Sequence, residues 1–131
     1  MTKTLSRAVL TSALAVATAT IGAAEEPALW LRYPAISPDG RTIVFSYRGD
    51  LYRVASSGGE AAPLTLHEAH DTRPVWSPDG SEIAFASDRY GNFDVYVMSA
   101  QGGRARRLTY HSANDTPFSF TPDGEAVLFG S

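Results

Sequence analysis

The sequence predicts an all-β fold: a β-propeller of four-stranded antiparallel blades, present as an incomplete N-terminal fragment of two blades plus part of a third. Three observations predict it. One turn is written three times, as Ser37-Pro38-Asp39-Gly40, Ser77-Pro78-Asp79-Gly80 and Thr121-Pro122-Asp123-Gly124, at intervals of 40 and then 44 residues. That period falls in the range of propeller blades. The residues around the turn recur with it. No stretch beyond residue 24 sustains the 3.6-residue apolar period of a helix.

The chain opens with a segment that reads as an export signal rather than as part of the fold. Lys3 and Arg7 form a positive start, an apolar run follows from Ala8 to Ile21, and Gly22, Ala23 and Ala24 precede Glu25. This pattern predicts a signal peptide over 1–24, cleaved after Ala24. The run of 14 residues is diluted by Thr and Ser and is shorter than the roughly 20 needed to span a bilayer. Stable membrane insertion is therefore not expected, and the protein is expected to be periplasmic or secreted. Loss of Lys3 and Arg7 takes the formal charge from −3 to −5.

The remaining residues, 25–131, read as a partial propeller with blades at about 29–68, 71–112 and 115–131, the last incomplete. Three residues after each turn glycine come Ile43-Val44-Phe45, Ile83-Ala84-Phe85 and Val127-Leu128-Phe129. Asp50-Leu51-Tyr52 then matches Asp94-Val95-Tyr96, Leu64-Thr65 matches Leu108-Thr109, and His67 and Asp71 match His111 and Asp115. The periods differ because Phe45 to Tyr52 is seven residues and Phe85 to Tyr96 is eleven, an insertion expected at a hairpin tip. The first copy is atypical, with Leu31 in place of the Asp before the blade.

Each unit reads as four strands, shown in the second copy. "RPVWS" comes first, then the turn, where proline presets φ and glycine tolerates a positive φ. "EIAFAS" is the second strand, with apolar residues on both faces, as a blade packed between two neighbours requires. "DVYVMSA" is the third. "ARRLTYH" is the fourth, and Arg104, Arg106 and Arg107, with Pro63 in the earlier copy, read as protection of an outer edge. Trp30, Trp76, Phe118 and Phe120 read as packing between blades. A closed ring takes roughly four to eight blades, so these units are expected to be the start of a longer polypeptide.

Composition narrows function. With 44% hydrophobic and 19% charged residues the chain suits a globular protein. Its net negative charge argues against nucleic acid as a partner. The absence of cysteine removes disulfides, thiolate metal sites and cysteine nucleophiles. "HEAHD" at 67–71 sets His67 and His70 three apart, where a zinc-protease helix needs four, and the next copy has His111 but Asn114. Asp88, Asn92 and Asp94 miss the calcium-loop spacing and read as hairpin chemistry. Arg48-Gly49-Asp50 falls at a hairpin tip, where the turn explains it. Asp71 and Asp115 read as carboxylates that hold the crossover between blades by accepting backbone N–H bonds. No Gly-x-Ser-x-Gly elbow occurs. No catalytic, metal or cofactor residue is assigned to this chain.

"WSPDGSEIAFASDRYGNFDVYVMSAQGGRARRLTYH" resembles the repeat of TolB-like propellers. "ALWLRYPAISPDGRTIVFSYRGDLYRV" with "RLTYHSANDTPFSFTPDG" is similar to the start of exported tricorn-like serine peptidases. This resemblance implies proteolysis by the full-length protein, its propeller guiding or filtering peptide or unfolded-protein substrates toward downstream domains that carry the catalytic residues. Two other readings stand beside it. One is a non-catalytic TolB-like periplasmic interaction module. The other is the propeller of an amidohydrolase or prolyl-oligopeptidase-like hydrolase.

Overall fold

The computed structural model describes residues 30–131, so the expected leader at 1–24 lies outside the described residues. Ten strands form three antiparallel sheets. The first sheet is β1 (Arg32–Ile36), β2 (Thr42–Tyr47), β3 (Asp50–Ala55) and β4 (Ala62–Pro63), paired in that order. The second repeats it with β5 (Asp71–Trp76), β6 (Glu82–Ser87), β7 (Asp94–Ser99) and β8 (Arg106–Arg107). The third contains β9 (Thr116–Phe120) and β10 (Val127–Gly130). All-β, with four-stranded sheets in sequential order, is the propeller-blade pattern read from the repeat.

Each tetrapeptide makes the turn between the first two strands of its sheet. The Gly40, Gly80 and Gly124 N–H groups donate to the carbonyls of Ser37, Ser77 and Thr121 at 2.8, 3.0 and 2.9 Å. The glycines take φ of 72°, 72° and 75°, a left-handed conformation that a side chain resists. Side chains lock the turn as well. The Ser37 hydroxyl donates to Asp39 at 2.6 Å and accepts from the Thr42 N–H at 2.9 Å. Ser77 makes the same bonds to Asp79 and Glu82. Successive turns lie close together, so that a side chain added at Gly80 or Gly124 would meet Pro38 or Pro78 of the preceding turn.

The four-residue length difference lies where expected. β2 and β3 are joined by Arg48 and Gly49 alone, both at positive φ (51° and 94°), as the mirror-image two-residue hairpin turn demands. β6 and β7 are joined by residues 88–93.

The core is the space between sheets. Val44, Leu51 and Leu64 from the first sheet pack with Ile83, Phe85, Tyr96 and Met98 from the second. Ala84 and Val97 face the other way and meet Phe120 of the third. Thus Ile83 and Phe85 bury on one side of β6 and Ala84 on the other, which explains why this strand is apolar on both faces. At about 1.5–3 kcal/mol per fully buried large apolar side chain, this two-sided burial is the main force holding sheet to sheet.

One expectation needs correction. The fourth strands are much shorter than "ARRLTYH" suggests, because only Arg106 and Arg107 pair with β7. Beyond them the chain leaves the ladder, and the Leu108 N–H and Thr109 hydroxyl bond to Val95 instead. Trp30, ahead of the first strand, and Phe118, on the incomplete third sheet, are 73% and 65% exposed in this chain. Trp76 and Phe120 pack between blades, and the Trp76 indole N–H donates to the Ala35 carbonyl of the preceding sheet at 3.0 Å.

Candidate functional site

The first strands of the sheets, β1, β5 and β9, lie side by side, whereas β4 and β8 pair at the opposite ends of their sheets. This defines an inner edge, and that edge is irregular in a repeated way. The β1–β2 register shifts between Arg32 and Ala35, and the β5–β6 register shifts between Thr72 and Val75. At each bulge one non-glycine residue is held left-handed: Tyr33 at φ 51° and Arg73 at φ 52°. These residues occupy matching repeat positions, and each precedes a proline, Pro34 and Pro74. A left-handed non-glycine backbone costs about 1–3 kcal/mol and collects at binding surfaces.

The bulges turn side chains outward. Tyr33 is exposed, Arg73 is exposed, and the Arg73 guanidinium lies 4.6 Å from the centre of the Tyr33 ring. Arg32 stacks on Trp30 at 5.6 Å. Aromatic faces and guanidinium groups can hold apolar side chains, carbonyls and carboxylates of an extended peptide. The edge thus presents aromatic rings and guanidinium groups to solvent. Among the described residues no nucleophile paired with a general base stands on it.

The carboxylates read from the sequence have distinct structural duties. Asp71 and Asp115 do sit at the crossovers, yet it is their backbone N–H groups that bridge sheets, donating to the Gly49 and Phe93 carbonyls at 2.7 Å each. The carboxylates themselves turn inward, correcting the expectation that they accept backbone N–H bonds. Asp71 is fully buried and lies 2.8 Å from Arg89. Asp115 is fully buried, with His111 at 3.4 Å. The carboxylate that accepts a crossover N–H is Asp88, from His70 at 2.7 Å.

Arg107 also corrects the sequence reading. It does not merely guard an edge but lies 2.7 Å from the fully buried Asp94. In the first copy the matching Asp50 is served by Thr65 and the His67 N–H, each at 3.2 Å, because Pro63 stands where Arg107 would. The calcium candidates diverge: Asp88 goes to His70, Asp94 to Arg107, and Asn92 donates to the His111 and Ala113 carbonyls. The His67 ring accepts the Ala69 N–H, while the His70 N–H donates to Asp88, so the two histidines serve separate loops.

At the opposite rim the turn aspartates are held in the charged form. The Ser77 hydroxyl, then the Ser81 N–H and hydroxyl, bring Asp79 down to about 2. Asp39 and Asp123 are lowered in the same way, chiefly by Ser37 and Thr121.

Comparison with known proteins agrees with this architecture. The profile of the tricorn protease N-terminal beta propeller domain matches residues 28–131. The chain is 46% identical over 55 residues to the uncharacterized peptidase YuxL of Bacillus subtilis (strain 168), covering 38% of this chain and 8% of YuxL. A putative TolB from Agrobacterium tumefaciens superposes with a TM-score of 0.69 at 24% identity, over 76% of this chain and 37% of that one. The tricorn protease superposes with a TM-score of 0.62 at 25% identity, over 72% of this chain and 10% of that one. The chain therefore spans a small part of each of these proteins.

Proposed function

Since the chain belongs to the family of tricorn protease N-terminal beta propeller domains, we propose that it is the substrate-guiding propeller segment of an exported serine peptidase. The inner edge admits extended peptides, and cleavage is carried by another part of the same polypeptide. The observation that carries this reading is the pair of in-register bulges. Two sheets both hold a costly left-handed residue, and both use it to present a side chain, Tyr33 or Arg73, at the inner edge. A blade needs neither side chain for its own packing.

The test uses the full-length gene product. It should label with a serine-directed fluorophosphonate and hydrolyse unstructured peptides. The variant Tyr33→Ala/Arg73→Glu should lower kcat/KM for peptides of a dozen residues about tenfold, the scale of a lost guanidinium contact. A tripeptide reporter should be cut as before. Absence of labelling, or equal loss on short and long peptides, would overturn the proposal. Amino-terminal sequencing of the periplasmic or secreted form tests export, with Glu25 expected as the first residue.

A second reading has an observation in its favour. The matched relative is a peptidase by name, and an isopeptidase, AtxE2, shares the fold at a TM-score of 0.55 and 17% identity. A hydrolase other than the tricorn type would be told apart by where the fluorophosphonate label maps on the polypeptide.

A further inference from the structure

Comparing the two complete sheets position by position separates what a blade requires from what one blade adds. The Asp at the start of the third strand, the threonine that caps its next N–H, and the turn residues occur in both. One group of side chains does not recur. Arg104, Arg106, Arg107 and Tyr110 occupy positions held in the first copy by Glu60, Ala62, Pro63 and Leu66. Arg89 and Tyr90 fall within the longer hairpin, where the first copy has no counterparts.

These six residues converge on one cleft of about 1060 Å³ at the outer side of the first two sheets, with His67 on its far wall. Arg107 forms its floor, its guanidinium 4.7 Å from the ring centres of both Tyr90 and Tyr110. Tyr90 and Tyr110 are nonetheless 70% and 71% exposed. Arg89 and Arg107 are matched by the buried Asp71 and Asp94 beneath them. Arg104 and Arg106 are exposed and make no ion pair among the described residues, and no Asp or Glu lines the cleft. The cleft therefore carries a local positive excess on a chain whose formal charge is −3.

Protection of an edge strand accounts for a charge or two. It does not account for two exposed tyrosines clamping an arginine, nor for their absence from the sister blade.

We propose that this outer cleft is a docking site for an acidic, aromatic-tolerant peptide segment of a separate polypeptide. Its carboxylates would engage Arg104 and Arg106 while its apolar side chains lie on Tyr90 and Tyr110. The volume is at the top of the roughly 300–1,000 Å³ range of small-molecule pockets, enough for several residues. A segment that enters a cleft is favoured over a broad anionic surface such as a membrane. The turn rim of the three sheets carries Asp39, Asp79 and Asp123 and would repel such a surface. The site is distinct from the inner edge, and the proposal does not rest on the peptidase reading.

The test uses the full-length protein and a fluorescein-labelled octapeptide of alternating Glu and Tyr, read by fluorescence anisotropy. Binding is expected to weaken with added salt and to fall about tenfold in Arg104→Glu/Arg106→Glu. Arg41→Glu has the same per-residue charge change on an exposed side chain at the turn rim, and it should leave binding unchanged. Tyr110→Ala should weaken binding without altering the salt dependence. Both arginines are exposed, so the double variant is expected to keep its circular dichroism and melting temperature. Equal binding by the double variant, equal binding of a Lys-Tyr octapeptide, or binding of phosphatidylglycerol vesicles in place of the peptide would each overturn the proposal.

Discussion

Replacing Arg89 with methionine should destabilise the fold far more than removal of a surface charge. Arg89 lies 2.8 Å from the Asp71 carboxylate, which is fully buried, and is itself only 17% exposed. At the effective dielectric near 20 that suits such pairs, two charges about 4 Å apart attract by about 4 kcal/mol. Arg89 also donates to the Ser87 hydroxyl at 3.1 Å. Its guanidinium lies over the rings of Phe85 and Tyr96, at 5.7 and 5.2 Å. Methionine keeps much of the stacked volume but leaves Asp71 buried without its partner. The expected loss is about 3–5 kcal/mol, the scale for breaking one half of a buried pair. Asp71→Asn alone should cost less, because the orphaned Arg89 can swing toward solvent. The double variant Asp71→Asn/Arg89→Met should regain a large part of the loss, since no buried charge is left unmatched. Urea unfolding of the intact protein, followed by tryptophan fluorescence, reads all four corners of the cycle. A cost below about 1 kcal/mol for Arg89→Met would place the pair with ordinary surface salt bridges and refute this account of the crossover.

Two further outcomes follow from the packing and the turns. Phe85→Ala should cost about 3–5 kcal/mol in the same unfolding assay, because Phe85 is fully buried in the cluster that joins the first two sheets. Ser77→Ala should raise Asp79 from about 2 toward its ordinary 3.8, since the Ser77 hydroxyl is the largest cause of the lowering. Carboxyl-carbon NMR titration reads that value directly. The folded value is depressed, so the Asp79 contribution is complete above the unfolded value and fades as pH falls through about 2. In the variant, with the folded value close to the unfolded one, little of this pH-dependent contribution should remain.

Much of this fold was legible because the repeat could be laid over itself. The second strand of the second unit, Glu82–Ser87, coincides with the run read as "EIAFAS". The opposed burial of Phe85 and Ala84 follows from two-residue alternation alone. The hairpin insertion was legible as a count. The inner-edge bulges were not, because a left-handed Tyr33 or Arg73 runs against the intrinsic preference of its side chain, and only the surrounding sheet enforces it. The recurring proline after each was the available signal. The Arg107–Asp94 pair was hidden for a related reason. The internal comparison favours what both copies share, and the first copy replaces this arginine with Pro63.

At the turn rim each glycine faces the proline of the preceding turn, Gly80 toward Pro38 and Gly124 toward Pro78, with room for no more than a side chain's first carbon between them. At the far rim the spacing is set by main-chain bonds from Asp71 to Gly49 and from Asp115 to Phe93. Neighbouring sheets are thus tied by main-chain bonds at one rim in addition to the side chains packed between them. A tie made of main-chain atoms survives wide drift at the rims. Chemistry can then be exchanged from blade to blade, as the outer cleft of the second blade was, with no change in how the blades fan out.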